Sequence, residues 1–142
     1  MQTVKLQTLD DVRDFVATCF AYDQSDFAKS ASCARQSVYL LTRGKTNPRT
    51  DTLDGIFSAL GVDHEYLPRR HVEPVASSSA QLGPRLRSLL SHLHVSEKAF
   101  AERLGIIVPS VRRLEQRPVW SFNTLYSVAH ALRIPSVIAV YY

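Results

Sequence analysis

Two stretches of this chain carry the same side chains at the same spacing. Gln24-Ser-Asp-Phe27-Ala28, followed by Val38 and Leu41, is answered 73 positions later by Glu97-Lys-Ala-Phe100-Ala101, followed by Val111 and Leu114. After a one-residue deletion the offset becomes 72, so that Thr52-Leu53 maps to Thr124-Leu125 and Ala59-Leu60 to Ala131-Leu132. A chain that repeats itself must find one local solution that serves both copies. Divided in two, its 142 residues give units of about 65 residues, near the lower limit for burying an independent core.

Hydrophobic residues make up 45% of the chain, which is the proportion of a globular protein rather than a disordered one. Cys19 and Cys33 show no CxxC spacing and no secretory leader is evident, so a reducing, cytoplasmic location is expected. No apolar run approaches the ~20 residues needed to span a bilayer, and no membrane partner is expected. The net charge of +4 is unevenly placed. Residues 1–67 hold seven Lys/Arg against nine Asp/Glu, whereas residues 68–142 hold ten against four. A basic second half favours nucleic acid as a partner, although many ordinary proteins are as basic.

The order of elements reads the same way in both copies. Thr3–Gln7 alternates apolar and polar as a short strand does. Thr8 is a helix N-cap with Asp10 and Asp11 in the first turn, and Val12, Phe15, Val16, Cys19 and Phe20 form an amphipathic stripe. A second helix is expected from Gln24 to about Ser30, a third from Ala34 to about Thr42, and a fourth beginning at Thr50 or Asp51 with Leu53, Ile56, Phe57 and Leu60 buried and Gly61 closing it. Residues 68–81, with two prolines and three consecutive serines, have linker composition. The second copy then follows: Leu82, Leu86, Leu89, Leu90 and Leu93 on its first helix, Ser96 as the cap of its second, Leu104-Gly105 in the turn, a third helix over about 108–116 and a fourth over about 121–132. The tail Pro135–Tyr142 is rich in β-formers, and it reads as a strand that pairs with residues 3–7 of the same chain or of another.

Two helices joined by a short turn, with a small residue (Ala28, Ala101) where they cross and bulky partners (Val38/Leu41, Val111/Leu114) beneath, have the geometry that projects the second helix into a DNA major groove. The first copy resembles the helix-turn-helix domain of the phage Cro and lambda-type repressor family. Gln24, Phe27-Ala28, Val38, Leu41, Arg43-Gly44, Asn47-Pro48, Thr52-Leu53, Ile56 and Ala59-Leu60-Gly61 carry the resemblance across nearly all of residues 9–62. The second copy keeps the packing positions but lacks the Asn-Pro loop. The fold so implied is all-α: two tandem lambda-repressor-like helix-turn-helix domains at 1–67 and 82–142, a linker at 68–81, and short strands at the termini.

The resemblance also assigns roles. Gln24 matches a position that contacts a backbone phosphate, Arg35 and Gln36 match the leading base-reading positions, Tyr39 and Leu40 continue that exposed side, and Arg43 matches a second phosphate contact. The chemistry agrees, since Arg pairs bidentately with guanine and Gln with adenine. Lys45 and Arg49 in the following loop add sequence-independent attraction. In the second copy the phosphate-contacting Gln becomes Glu97, and the leading reading positions become Val108 and Pro109, which make no bidentate contact. Arg112, Arg113 and Arg117 follow on the next exposed turns. Two readings stay open: the second unit reads DNA through these arginines, or it holds a protein partner.

Each signal also has a plainer reading. Phe27, Ala28, Val38 and Leu41 would be core residues in any helical domain, and an exposed arginine is usually a solvated one. His64, His71, His92, His94 and His130 are scattered; His92 and His94, two apart on a helix, point away from each other, and no metal site or cofactor is expected. There is no nucleophile–base pair, phosphate loop or paired carboxylate to suggest an enzyme. The expectation is a sequence-specific regulator of transcription, a repressor bound in the major groove of duplex DNA as a homodimer, with the hydrophobic tail or the second unit supplying the interface. The rival is a protein-binding module. Arg35–Tyr39 and Asn47-Pro48 with Thr52-Leu53 also resemble the helix-turn-helix antitoxins, though these typically carry a single domain. A flexible connection of 14 residues has a span of roughly 20 Å, enough for neighbouring turns of one duplex about 34 Å apart, and it equally permits the two units to pack together as a pseudo-dimer.

Overall fold

The computed structural model describes residues 2–20, 41 and 47–142. Among these it is mostly helical, with six α-helices and a small three-stranded sheet. Strand β1 (Thr3–Leu6) leads into helix α1 (Leu9–Phe20). The Thr8 cap forms as the sequence predicts: Thr8 Oγ1 accepts from the Asp11 amide at 3.2 Å, and Asp11 Oδ2 accepts in return from the Thr8 amide at 3.1 Å. This reciprocal pair satisfies two of the amides that a helix start leaves unbonded. Val12 and Val16 on its inner face are fully buried.

Helix α2 (Thr50–Ala59) buries Leu53, Ile56 and Phe57 completely, and Gly61 closes it with a positive φ of 70°. There the chain enters β2 (Asp63–Tyr66), a strand that Asp-His-Glu-Tyr does not announce by composition. The second copy supplies α3 (Leu82–His92), α4 (Glu97–Leu104), α5 (Val108–Gln116), α6 (Phe122–Ala131) and β3 (Ile138–Tyr141). The four helices lie within a residue or two of the predicted bounds, and the strand occupies the later part of the predicted tail.

The sheet order is β1-β3-β2, both pairings antiparallel. The C-terminal strand therefore pairs within its own chain, Thr3 opposite Tyr141 and Leu6 opposite Ile138, and it sits between two strands of the first copy. β3 is flanked at both edges, and Ile138, Ala139 and Val140, which alternate between its two faces, have at most 1% of their surface exposed, so both faces are covered. One continuous core joins α1, α2 and β2 to α3, α5 and α6.

Residues 68–81 depart from the expectation of a flexible connection. Val72, Ala76 and Ser79 are buried, the Tyr66 amide donates to the Ala76 carbonyl at 2.8 Å, and Ser79–Gln81 form a 3-10 turn. The cause lies on α3. Arg85 occupies the place that Val12 holds 73 positions earlier, and its side chain is wholly buried. Its guanidinium donates to the carbonyls of Leu67 (2.7 Å), Arg69 (3.3 Å), Val72 and Pro74 (3.3 Å) and to Glu65 Oε1 (3.2 Å). A buried guanidinium needs acceptors for five N–H groups, and a segment without regular structure has carbonyls to spare. The segment is wound around Arg85.

Candidate nucleic-acid interface

Ser96 starts α4 by accepting from the Ala99 amide at 3.1 Å, and Gly105 ends it in the left-handed region at φ 71°. The Ile106 amide returns to the Ala101 carbonyl at 3.0 Å, so the chain reverses within Gly105–Ile107 and enters α5, with Pro109 in its first turn. Phe100 and Ala101 on α4 and Val111 and Leu114 on α5 are buried. The Trp120 indole N–H then caps the far end of α5 on the Leu114 carbonyl at 3.1 Å.

With Val111 and Leu114 turned inward, helical phase turns Pro109, Arg112, Arg113 and Gln116 outward, and all four are exposed. The leading end of α5 is apolar, with Ile107 63% and Ile106 38% exposed. Behind this end, Arg112 Nε donates to Glu97 Oε2 at 3.1 Å, so the carboxylate expected to repel a phosphate is held by a neighbouring cation. Arg113 and Arg117 form no ion pair among the described residues. Both line an open groove of about 350 Å³ between α5 and α6, which also presents Ser110, Asn123 and Thr124. Two guanidinium groups beside hydroxyl and amide donors suit an anion of phosphate geometry.

Glu115, on the flank of α5, keeps only 9% of its side chain exposed and stands 3.7 Å from Arg87. Burial raises its carboxyl above the ordinary range, the charge of Glu97 adds to this, and Arg87 and Arg112 oppose it.

Of the positions expected in the first copy, Gln24, Arg35, Gln36, Tyr39, Leu40, Arg43 and Lys45 lie outside the described residues. Arg49 is described. Its side chain is 65% exposed and pairs with Asp51 at 3.0 Å, while its backbone bridges to Ser121. The Asn47-Pro48 loop makes a contact that the sequence did not suggest. Asn47 Oδ1 accepts from the Asn123 amide at 3.0 Å and the Pro48 carbonyl accepts from the Phe122 amide at 2.8 Å, so a loop of the first copy caps α6 of the second.

A second polar cluster lies inside the molecule. Asp54 accepts from Tyr66 Oη (2.6 Å) and the Ser79 amide (2.7 Å) and bonds His64 Nε2 (2.8 Å). Burial and the Asp54 charge raise the Tyr66 hydroxyl well above its ordinary value, which keeps its proton in place. Asp, His and Ser in one cluster suggest a hydrolytic triad, but the geometry is otherwise: Ser79 Oγ donates to the Pro118 carbonyl at 2.7 Å and shares a bond with Thr50 Oγ1. The cluster ties α2, β2 and the 118–121 loop together. Among the described residues no helix is long and apolar enough to cross a membrane. Comparisons of the chain with protein-family models, curated proteins and solved structures find no match.

Proposed function

We propose that this protein is a sequence-specific regulator of transcription that binds the major groove of duplex DNA through two helix-turn-helix units of the Cro and lambda-type repressor kind. The observation that carries this reading is the outer face of α5. A helix entered through a three-residue turn and anchored by Val111 and Leu114 presents Arg112, Arg113 and Gln116 outward behind an apolar tip. Arg113, Arg117 and Arg49 supply phosphate attraction, and Ile107 and Val108 offer the surface that suits a thymine methyl group. In the first unit Arg35 and Gln36 read purines, with Tyr39 and Leu40 beside them and Gln24, Arg43 and Lys45 on phosphates. Repression follows from occlusion of a promoter, the simplest effect of a compact binder.

A binding selection from random duplexes with the intact chain tests the proposal. An enriched motif is expected, and Arg35→Ala with Gln36→Ala is expected to abolish discrimination between that motif and random DNA in a fluorescence-anisotropy competition while the chain stays folded. A selection that enriches nothing rejects the reading. A protein-binding module is the second reading, favoured by the exposure of Ile106 and Ile107. It predicts no enrichment, and it predicts loss of partner binding on Ile107→Lys.

A further inference from the structure

We propose that a single chain, without a second copy, is the complete DNA-binding unit and that it reads a bipartite site whose two halves differ. This rests on the DNA-binding reading above and deepens it. The described parts of the two copies are related by an internal two-fold axis. Arg49 bridges to Ser121, and Tyr66 pairs with Ile138; in each pair the partners are 72 positions apart, which makes them counterparts in the repeat. In an antiparallel pairing, a residue faces its own counterpart only where a two-fold axis passes between the strands.

The hydrogen bonds around the axis obey the same exchange. The Thr50 amide donates to the Trp120 carbonyl at 2.8 Å, and the Phe122 amide donates to the Pro48 carbonyl at 2.8 Å; adding 72 to one member of each bond and subtracting it from the other turns one into its mate. The ends of α2 and α6 match as well. Leu60 to Ile56, Gly61 to Ser58 and Val62 to Phe57 are repeated as Leu132 to Val128, Arg133 to His130 and Ile134 to Ala129. Even the positive φ of Gly61 recurs at Arg133 (57°). The copies thus stand to each other as the subunits of an isologous dimer do, joined in one chain.

Among the described residues, such an interface leaves no free half for a partner. Thr50, Tyr66, Ile138 and Val140 are fully buried and Trp120 is 2% exposed, so the groups through which two one-unit chains would pair are used up within the molecule. The hydrophobic tail, one of the two segments expected to supply a dimer interface, is the middle strand of this chain's own sheet. The symmetry is not complete: β1 pairs with β3, whereas the matching segment of the second copy adds beside β2 only the isolated Tyr66–Ala76 bridge. In sequence the reading positions differ as well, with Val108 and Pro109 aligned to Arg35 and Gln36, and Arg112 and Arg113 to Tyr39 and Leu40. An internal two-fold with unlike faces calls for half-sites about 10 base pairs apart that are not inverted copies.

Sedimentation equilibrium of the full chain and native mass spectrometry of its complex with the selected duplex test this. The free chain is expected as one 16.0 kDa species, bound one to one, with two dissimilar recognised segments and at least tenfold weaker binding when either is randomised. A dimer of the free chain, two chains per duplex, or a palindromic motif overturns the proposal and leaves the DNA-binding reading standing. A monomer that enriches no motif rejects both.

Discussion

Glu97 on α4 accepts from Arg112 on α5 at 3.1 Å, a bond between residues fifteen positions apart that sets the charge on the outer face of α5. Exposed on both sides, the pair contributes little to stability, but it sets one cation against one anion where a phosphate would approach. Glu97→Gln is expected to strengthen DNA binding a few-fold and to steepen the slope of log affinity against log salt by about one. The salt titration decides: an unchanged slope would mean that Arg112 does not reach a phosphate even when freed.

Arg113 and Arg117 are bound to no carboxylate among the described residues and face the same groove. Replacing both with Ala is expected to weaken binding to specific and random duplexes alike and to flatten the salt slope by about two. Loss confined to the specific sequence would instead make them base readers.

Arg85→Met removes the group around which residues 65–74 are wound. It strands the carbonyls of Leu67, Arg69 and Val72 and is expected to cost about 3–5 kcal/mol in urea unfolding. Arg85→Lys should not restore this loss, because an ammonium lacks the planar fork that serves four carbonyls at once. Cleavage by a protease within 68–81 should rise in step with the loss. A variant that unfolds with the parent midpoint would show that the segment is held by Val72 and Ala76 alone.

Local rules made most of the second copy legible in the sequence. The cap at Ser96, like that at Thr8 in the first copy, the turn at Gly105 and the leucine stripe of α3 each depend on residues within four positions of one another. The exposure of Arg113 also followed from helical phase against Val111 and Leu114. What could not be read depends on distant partners. Asp63–Tyr66 becomes a strand because β3 lies beside it, not because Asp, His and Glu favour extension. Residues 68–81 look like a free linker until Arg85 is known to be buried among their carbonyls, and Asn47 looks like a loop residue until Asn123 is found against it. The repeat itself contained the internal two-fold, but only the pairing register reveals it.

Glu115 gives the fold a dependence on pH. Burial raises its folded-state pKa above the unfolded value, so between those two values the folded chain holds more protons. Stability from this group is therefore fully present below the unfolded carboxyl range and is lost as pH rises through the raised folded value. Glu115→Gln is expected to remove that loss, making the variant more stable than the parent at neutral pH and flattening the profile. A variant whose stability relative to the parent does not grow as pH rises through that window would contradict the burial of this carboxylate.

Ile107 is 63% exposed at the leading end of α5, and in the proposed DNA-binding reading it would meet the second half-site. An apolar side chain offers no hydrogen bond to a base edge, and the apolar feature of the major groove is the C5-methyl group of thymine. Burying one methyl is worth about 0.8 kcal/mol, or roughly fourfold in affinity. Duplexes in which thymines of the second half-site are replaced one at a time by deoxyuridine, which lacks only that methyl, should therefore lose about fourfold at one or two positions, with no loss at thymines elsewhere. Ile107→Ala should weaken the parent duplex by a similar factor and should make the deoxyuridine replacement silent, since the two changes remove the same contact. Additive losses from the protein and DNA changes would show that Ile107 does not touch the methyl, and would leave the second half-site to Arg112 and Arg113.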